Sequence, residues 1–444
     1  MACCKGENRG WCKDHPVVNY KDESGNEYCI FHAPSDQKGI SVFEFNSCVY
    51  DEIKQAKAKN SSCNLSGTIF PGDIAFRADQ VTVPFLFPPV RFDYAVFHGS
   101  VNFNDAVFDG YASFAGTAFN RDVNFFRSKF IDYSNFFGAT FTENVYFSWA
   151  SFKGLTWFHE TKFHKKAAFD NAIISGPIEF IRTFFEGPAN FLNTFFTEKV
   201  IFFASFSREA IFSNATFNNR ALFQGLTFLS IAHLNRTTIN EVLRFDNVNL
   251  GKVSLVDTDI RKIDFVNCTW PLKDGRPVLY DELHLAESWP FEKEQLVKIE
   301  ILYRKLKQKY KEEHDESESS NWHFAEREIQ RLRSSRKTAF YYLLYLYYYS
   351  SGYGEKPVRA VIGLGLLIML FAVLFGLSEQ LIQYNDWKNL PSLFLNTLQY
   401  ATFENNPEFI PQTYIGAFLR LCLKLLIPLQ AAFLALAVRN KFRR

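Results

Sequence analysis

The sequence predicts a multidomain protein in which a solenoid is followed by a helical connector and an α-helical membrane module with two spans. Three observations support this prediction. Bulky apolar residues recur with an eleven-residue period through the middle of the chain, apolar residues follow a helical spacing over about residues 291–336, and two long apolar runs lie near the C-terminus. The 444 residues are enough for several domains, and the formal net charge of +2 gives no reason to expect nucleic acid as a partner.

Residues 1–40 are predicted to form an N-terminal cap that binds a structural zinc ion. The segment is polar and has no apolar stretch typical of a cleaved signal peptide, so it has little core to fold around without a metal. Three thiolates and one imidazole form a common tetrahedral zinc set. The predicted ligands are Cys4, Cys12, Cys29 and His32, with Cys3 or His15 as substitutes. The alternative is a group of free cytosolic thiols.

Residues 41–270 carry the repeat. Large apolar side chains follow one another in steps that alternate between five and six residues, and a small residue stands three positions after the first Phe of each unit, as in Phe147-Ser-Trp-Ala-Ser-Phe152. This pattern has neither the period of a helix nor that of a strand. It fits a chain that turns a corner in every unit, with bulky rings stacked inside. One residue is missing from the register between Phe202 and Phe206.

These units resemble the pentapeptide-repeat family, and the resemblance covers about residues 65–270. It implies a right-handed quadrilateral β-helix of about ten coils, roughly 45–50 Å long at a strand spacing of ~4.8 Å. Some members of the family mimic DNA through an acidic surface. Acidic and basic residues are nearly balanced in this segment, so the resemblance favours a rigid scaffold or docking surface. The stretch Tyr28-Cys-Ile-Phe-His32 also looks like the N-terminal cap of some pentapeptide-repeat membrane proteins.

Residues 271–336 are predicted to form a connector with a helical hairpin. Apolar spacing predicts one helix from Phe291 to about His314, a polar turn over 314–321, and a second helix from about Asn321 to Arg336. Residues 337–357 follow, with seven Tyr or Phe among residues 340–349. Because Tyr has an apolar ring and a polar tip, this segment is expected to be a helix in the membrane interface. The alternative is a buried aromatic helix.

Residues 358–444 are predicted to form a transmembrane module. Span 1 (about 359–379) and span 2 (about 414–438) are each long enough to cross a hydrocarbon core of ~30 Å, whereas a pore helix at about 392–403 is too short. Basic residues flank the outer ends of both spans. By the positive-inside rule, both termini are cytoplasmic, in a multi-pass protein of the plasma membrane, which is the inner membrane of a bacterial cell.

The order of span, short helix, polar loop and span resembles the two-span ion-channel superfamily over residues 358–442. The resemblance implies a tetrameric pore. The residues at the position of its filter are Thr402, Phe403, Glu404, Asn405, Asn406 and Glu408. The potassium filter signature T-V-G-Y-G is absent, so potassium selectivity is not implied.

Two basic residues inside span 2 indicate a lumen-facing surface. Arg420 and Lys424 stand four residues apart and therefore share one helical face. Ionisable residues within a membrane usually face water or a partner, so this pair is expected to line the pore and favour anions. The alternative for Arg420 is that its guanidinium reaches the outer headgroups. Pro428 is expected to kink the helix and to act as a hinge.

The sequence as a whole favours a homo-oligomeric ion channel, with four subunits as the expected number. Its expected partners are ions, membrane lipid and an unknown cytoplasmic ligand or protein on the β-helix, which gates the pore. The alternative function is a membrane-anchored scaffold without conduction. No phosphate-binding loop, nucleophile motif or carboxylate pair indicates an enzyme.

Overall fold

The computed structural model describes residues 3–5, 10–12, 15, 17–76, 84–285, 293–335, 337–378, 390–401 and 413–442. It divides into two compact units. The first consists of Met1–Asp274 and Val278–Glu287, and the second of Gly275–Pro277 and Ser288–Arg444.

The first unit is a β-solenoid whose short parallel strands stack into four ladders, one on each side of the coil. The first ladder contains Cys63–Asn64, Val90–Arg91, Ala112–Ser113, Ser134–Asn135, Thr156–Trp157, Ile178–Phe185, Val200–Phe206, Ala221–Gln224, Leu243–Asp246 and Ile263–Val266. The second contains Ile69–Phe70, Val96–Phe97, Ala118–Phe119, Thr140–Phe141, Lys162–Phe163 and Thr227–Phe228, and it is continued through the two long strands of the first.

The other two ladders are built in the same way. The third contains Ile74–Ala75, Val101–Asn102, Val123–Asn124, Val145–Tyr146, Ala167–Ala168, Ala189–Asn190, Ala210–Ile211, Ala232–His233 and Val253–Ser254. The fourth contains Leu86–Phe87, Val107–Phe108, Lys129–Phe130, Ser151–Phe152, Ile173–Ile174, Phe195–Phe196, Thr216–Phe217 and Thr238–Ile239.

Most coils take 22 residues, so most inward rings lie directly over their counterparts in the next coil. Val107 pairs with Lys129, 22 residues further along the chain, as Ser148 meets Asp170. The rings of Phe108 and Phe130 are fully buried and stack with centroids 4.6 Å apart. Burial of each such ring contributes roughly 1.5–3 kcal/mol. The predicted interior of stacked Phe rings and small residues is therefore confirmed.

In each five-residue step between inward Phe side chains, one corner residue adopts a left-handed backbone. These residues recur every eleven positions, as at Asp105 (φ 57°), Gly116 (φ 65°) and Arg127 (φ 56°). The next residue then donates its amide across the turn, as from Thr117 to the Phe114 carbonyl at 3.1 Å. A Thr at this buried position also donates its hydroxyl to a backbone carbonyl of the preceding coil. The corner thus explains why a small residue follows each turn.

The missing residue between Phe202 and Phe206 removes one of these corners. Ile181 pairs with Phe203 and Thr183 pairs with Ala204. Arg182, which lies between them, therefore has no paired residue in the next coil. Arg182 is the left-handed residue of its own coil (φ 54°). The strand Val200–Phe206 has no left-handed residue at the corner position.

The solenoid has about eight complete turns, fewer than the ten predicted. The fourth ladder contains eight strands and the third nine. The prediction counted four five-residue units in each coil. Two of the four steps in each regular coil are six residues long, so the same length of chain makes fewer turns.

The N-terminal boundary of the solenoid also differs from the predicted 41–270. Residues Val42–Ala58 form a helix, α1, which buries Phe45, Val49 and Ile53. The ring of Phe45 meets that of Phe70, the first inward Phe, at 5.7 Å. Since α1 covers the exposed end of the ring stack, it closes the solenoid in the way that terminal repeats do in other solenoids.

Before α1, the strands Val17–Lys21 and Glu27–Cys29 form an antiparallel hairpin. After the last coil come the strands Leu272–Lys273 and Arg276–Pro277 and a short helix, α2 (Tyr280–Leu285). The Asp281 carboxylate accepts hydrogen bonds from the Ser254 hydroxyl at 2.6 Å and the Leu255 amide at 3.1 Å. These bonds attach α2 to the last coil.

The second unit is helical. Its described helices are α3 (Lys293–Glu312), α4 (Glu316–Arg333), α5 (Ala339–Ser351), α6 (Pro357–Ser378), α7 (Leu390–Ala401) and α8 (Tyr414–Phe442). Helices α3 and α4 pack together as the predicted hairpin, with the rings of Tyr303 and Trp322 buried and 5.8 Å apart. Helix α4 begins five residues earlier than predicted, because the Asp315 carboxylate caps it by accepting from the Glu318 amide at 2.9 Å.

Helix α5 is not the buried aromatic helix of the alternative prediction. Tyr342 and Tyr349 are about two-thirds exposed, whereas Leu344 is buried. Arg331 of α4 lies over the ring of Tyr345 at 4.8 Å, and Arg359 of α6 over that of Tyr348 at 4.9 Å. Helix α5 therefore has one face packed against cationic side chains and one aromatic face that is largely exposed.

Candidate functional site

Four buried side chains of the N-terminal segment converge on one point. The ligand atoms of Cys3, Cys12, Cys29 and His32 all lie within 4.8 Å of one another. His32 Nδ1 lies 3.5 Å from Cys3 Sγ and 3.1 Å from Cys29 Sγ, and Cys12 Sγ lies 3.4 Å from Cys29 Sγ. Three sulfurs and one imidazole nitrogen are the donor set that a tetrahedral zinc site uses.

The solenoid itself orients the histidine. Cys29 ends the second strand of the hairpin, and the following turn returns the His32 amide to the Cys29 carbonyl at 3.0 Å. His32 Nε2 lies 2.9 Å from the carbonyl oxygen of Ser66, in the first coil. A carbonyl only accepts, so Nε2 carries the proton and Nδ1 presents its lone pair to the sulfurs. Metal-binding histidines are commonly oriented by such a second bond.

The sulfurs share protons unequally. A hydrogen bond from Cys12 lowers the pKa of Cys29 to about 3 against the opposing effect of burial. The same bond raises the pKa of Cys12 above its usual range, and burial raises the pKa of Cys3. The Cys12 thiol therefore donates to a Cys29 thiolate. A metal cation placed among the three sulfurs would replace these protons.

The structure brings Cys3, the named substitute, into this group in place of Cys4. Cys4 is buried but interacts with Tyr28 instead. The other substitute, His15, lies 3.6 Å from Glu52 and packs its ring against Phe31. Adjacent cysteines point in different directions, and the sequence alone had no means of choosing between them.

Lys38 lies beside the cysteine group. Its ammonium donates to the carbonyl oxygens of Ile30 and Phe31 and lies over the ring of Phe45. Burial lowers the pKa of Lys38 to about 7, and the charge of Cys29 opposes this change. The Lys38 side chain therefore connects α1 with the turn on which Cys29 and His32 lie.

The second candidate site is the apolar module of α6, α7 and α8. Helices α6 and α8 are long and apolar enough to cross a membrane, by length and composition. They pack through a cluster of Ile368, Phe371, Phe375, Leu423 and Ile427, and Phe394 of α7 packs against it. Helix α7 has 12 residues, which span about 18 Å at 1.5 Å per residue. Its described residues begin two positions before the predicted start at 392, and it contacts both long helices; the predicted last residues, 402 and 403, lie outside the described residues.

The predicted pore residues can be placed only in part. Thr402, Phe403, Glu404, Asn405, Asn406 and Glu408 lie outside the described residues. Arg420 and Lys424 are partly buried, near the face of α8 that carries Leu423 and Ile427. Pro428 lies inside α8, which continues to Phe442, past the predicted end at 438.

The sequence reasoning missed Gln430, a buried polar residue in α8. Its Nε2 donates to the carbonyl oxygens of Ser350 at 2.9 Å and Ala360 at 3.1 Å. It therefore holds α8 against the end of α5 and the start of α6, as polar side chains do between membrane helices. An amide within an otherwise apolar span was the signal in the sequence that would have identified it.

The segment between α5 and α6, residues 352–356, connects three parts of the second unit, and we call it the elbow. The buried Tyr353 hydroxyl donates to Glu328 of α4 at 2.7 Å. Asn440 near the end of α8 donates to the Gly354 carbonyl at 2.9 Å. Ser320 of α4 donates to the Glu355 carboxylate. Through these bonds, the elbow joins the hairpin to the end of α8.

Comparison with known proteins supports the repeat. A family model described as pentapeptide repeats (9 copies) matches residues 89–129, which lie within the coils. No match was found among curated proteins or among solved structures.

Proposed function

Because the chain is a pentapeptide-repeat protein with a β-solenoid and two apolar C-terminal helices, we propose that it is an oligomeric ion channel. The observation that carries the proposal is α7. This helix packs against both long helices but is too short to cross a hydrocarbon core of ~30 Å. The unpaired backbone groups of its first and last turns would need burial in protein or contact with water within the membrane. A pore formed by several copies supplies both.

The charges of α8 support a lumen-facing surface. Arg420 and Lys424 are ionisable residues in a span where mean hydropathy is otherwise high, and such residues usually mark an ion pathway. We propose that they line the pore and favour anions, with Pro428 as the hinge. Four subunits and a filter over residues 402–408 are part of this proposal.

We further propose that the channel resides in the plasma membrane with both termini in the cytoplasm. Lys356 immediately precedes α6, and Arg359 lies in its first turn. Arg439 and Lys441 lie in the last turn of α8. These positive charges follow the positive-inside rule. Helix α5 then lies at the same cytoplasmic interface, where its exposed Tyr rings meet the headgroups.

The elbow supports a route from the cytoplasmic hairpin to the pore. A movement of α4 would act on Tyr353 and Glu355, and through Asn440 on the end of α8. Binding of a ligand or partner to the solenoid would gate the channel by this route.

The first experiment is a planar-bilayer recording of the purified protein in asymmetric KCl. Discrete current steps with a reversal potential on the anion side are expected. Lys424→Glu should move the reversal potential towards cation preference, whereas Lys441→Glu, an equal charge change at the exposed end of α8, should leave it nearly unchanged. Silence of well-folded oligomer across calcium, pH and voltage would instead favour a membrane-anchored scaffold.

The cysteine group carries a second, independent proposal. We propose that Cys3, Cys12, Cys29 and His32 bind one structural zinc ion. Bound zinc would hold the three thiolates together, and the chain itself supplies the oriented His32 and the buried surroundings. Because His32 also bonds to Ser66 in the first coil, this site would fasten the N-terminal segment to the solenoid.

Metal analysis of purified protein tests this second proposal. One zinc per chain is expected, and Cys3→Ser and Cys29→Ser should each lose most of it. Cys4→Ser and Cys48→Ser are matched controls that should retain it. Zinc that persists in Cys3→Ser but is lost in Cys4→Ser would show that the ligand set is wrong, and a metal-free wild type would show that the cysteines are free thiols.

A further inference from the structure

A polar cavity of about 300 Å³ lies in the second unit, where the hairpin meets the elbow and the end of α8. Lys307 and Lys311 of α3, His323 of α4, Glu355 of the elbow and Asn440 of α8 all contribute to its lining. The cavity is separate from the cysteine group and from the apolar cluster of α6 and α8. Its volume is at the lower end of the range that small-molecule sites occupy.

Two side chains that line the cavity have polar groups without a partner among the described residues. The imidazole of His323 is partly buried and makes no hydrogen bond there. The exposed ammonium of Lys311 forms no ion pair there. Polar groups are normally satisfied by protein, water or a ligand, so both of these groups are available to a ligand that enters the cavity.

The surroundings of His323 are positive. The positive charges of Lys307 and Arg327 lower the pKa of His323, whereas the negative charge of Glu326 raises it. The Glu326 carboxylate is itself bound by Arg304 at 3.0 Å and Lys307 at 2.5 Å. Since that carboxylate is already engaged, the side of the cavity that carries His323 and Lys311 favours an anion.

The other side of the cavity carries carboxylates. Glu316 begins α4, and Glu355 accepts hydrogen bonds from Ser320 and from Asn440, the latter at 3.4 Å. Carboxylates repel a bare anion but accept hydrogen bonds from hydroxyl groups. A ligand that fits both sides therefore needs an anionic group at one end and hydroxyl groups at the other.

We propose that this cavity binds a small phosphomonoester that carries hydroxyl groups, such as a sugar phosphate. The phosphate lies between Lys311 and His323, and the hydroxyls donate to Glu316 and Glu355. Its residues come from α3, α4, the elbow and α8, so the ligand holds the hairpin against the end of α8 and changes the open probability of the pore. Only this last step rests on the proposed channel function.

Binding is tested on the full-length protein in detergent by equilibrium dialysis with radiolabelled ribose 5-phosphate. Saturable binding is expected, with ribose and inorganic phosphate each competing more weakly. His323→Gln and Lys311→Gln should each weaken binding about tenfold, the effect expected for loss of one hydrogen bond to a charged group. Lys293→Gln, the same change at the exposed far end of α3, should bind like the wild type.

The outcomes separate the site from the channel. Absence of saturable binding to the wild type, or binding that neither His323→Gln nor Lys311→Gln weakens, overturns the site. Inorganic phosphate that competes as well as ribose 5-phosphate overturns the role of the carboxylates. Binding without any current from reconstituted protein supports the site and counts against the channel, whereas current whose open probability ignores bound ligand overturns the regulatory step.

Discussion

At the scale of the residue, the solenoid depends on backbone conformations that most side chains avoid. Gly138 has φ +63°, and a Cβ built on it would meet no atom within 4 Å. Equivalent corners are occupied by Asn171 (φ 57°) and Asn193 (φ 55°). Space is therefore available at Gly138, and only the backbone conformation restricts which residue stands there.

A pair of substitutions at Gly138 tests this restriction. Gly138→Asn should change the stability of the solenoid little, because Asn tolerates the left-handed region. Gly138→Val should lower it by about 1–2 kcal/mol, because a β-branched residue does not. The thermal midpoint of the solenoid measures both. Equal midpoints for the two variants would contradict the prediction.

His323 gives the second prediction at this scale. Burial, together with the charges of Lys307 and Arg327, lowers the pKa of His323 to about 4 from its ordinary value of 6.5. Between these values the unfolded chain binds a proton that the folded chain does not, so folding stability falls as pH drops from 6.5 to 4. The loss is about 2–3 kcal/mol at most.

Denaturant titrations of the second unit at pH 7 and pH 4.5 measure this loss. His323→Gln has no such proton to bind, so its stability should depend less on pH across this interval. A wild type and a His323→Gln variant with the same pH dependence would show that His323 is not the responsible group.

At the scale of the element, α1 combines local signals that identify its start. Ser41 Oγ accepts from the Glu44 amide at 3.2 Å, and the Glu44 carboxylate accepts from the Ser41 amide at 2.9 Å. This capping box and the spacing of Phe45, Val49 and Ile53 were visible in the sequence. The predicted boundary missed α1 because the repeat was extended back over residues whose period is that of a helix.

Removal of the cap tests how far α1 stabilises the end of the solenoid. Ser41→Ala should lower the thermal midpoint of the first unit, at a cost of about 1 kcal/mol. Phe43→Ala is the control, because Phe43 is 82% exposed and its loss should have little effect. A larger loss in the control than in Ser41→Ala would mean that packing of Phe43, rather than the cap, fixes the helix.

At the scale of the whole molecule, the two units differ in what holds them together. The first is a stack in which each coil contacts only its neighbours. The second combines apolar packing between its helices with single polar contacts between segments far apart in sequence, such as Gln430 with Ala360 and Asn440 with Gly354. Its conformation is therefore more sensitive to the loss of one side chain.

Deletion of residues 1–274 tests the gating hypothesis at this scale. The remaining chain corresponds closely to the second compact unit. It should still insert into membranes with an unchanged single-channel conductance, because all proposed pore residues remain, but its open probability should change. An open probability equal to that of the full chain would show that the solenoid does not gate the pore.

The sequence alone determined the solenoid, its inward Phe rings and the position of the altered corner between Phe202 and Phe206. It also determined the two apolar helices and the short helix between them. The physical reason is that these features depend on residues at a fixed and short separation along the chain. A period of eleven residues or an apolar run is therefore readable without knowledge of the fold.

Only the tertiary structure decided which residues meet. It selected Cys3 over Cys4, bonded His32 to Ser66, placed Gln430 against α5 and α6, and assembled the cavity around His323. Each of these joins segments separated by tens of residues, and the direction of one side chain decides the outcome. Sequence pattern fixes the face of an element on which a residue lies, whereas packing decides what that face contacts.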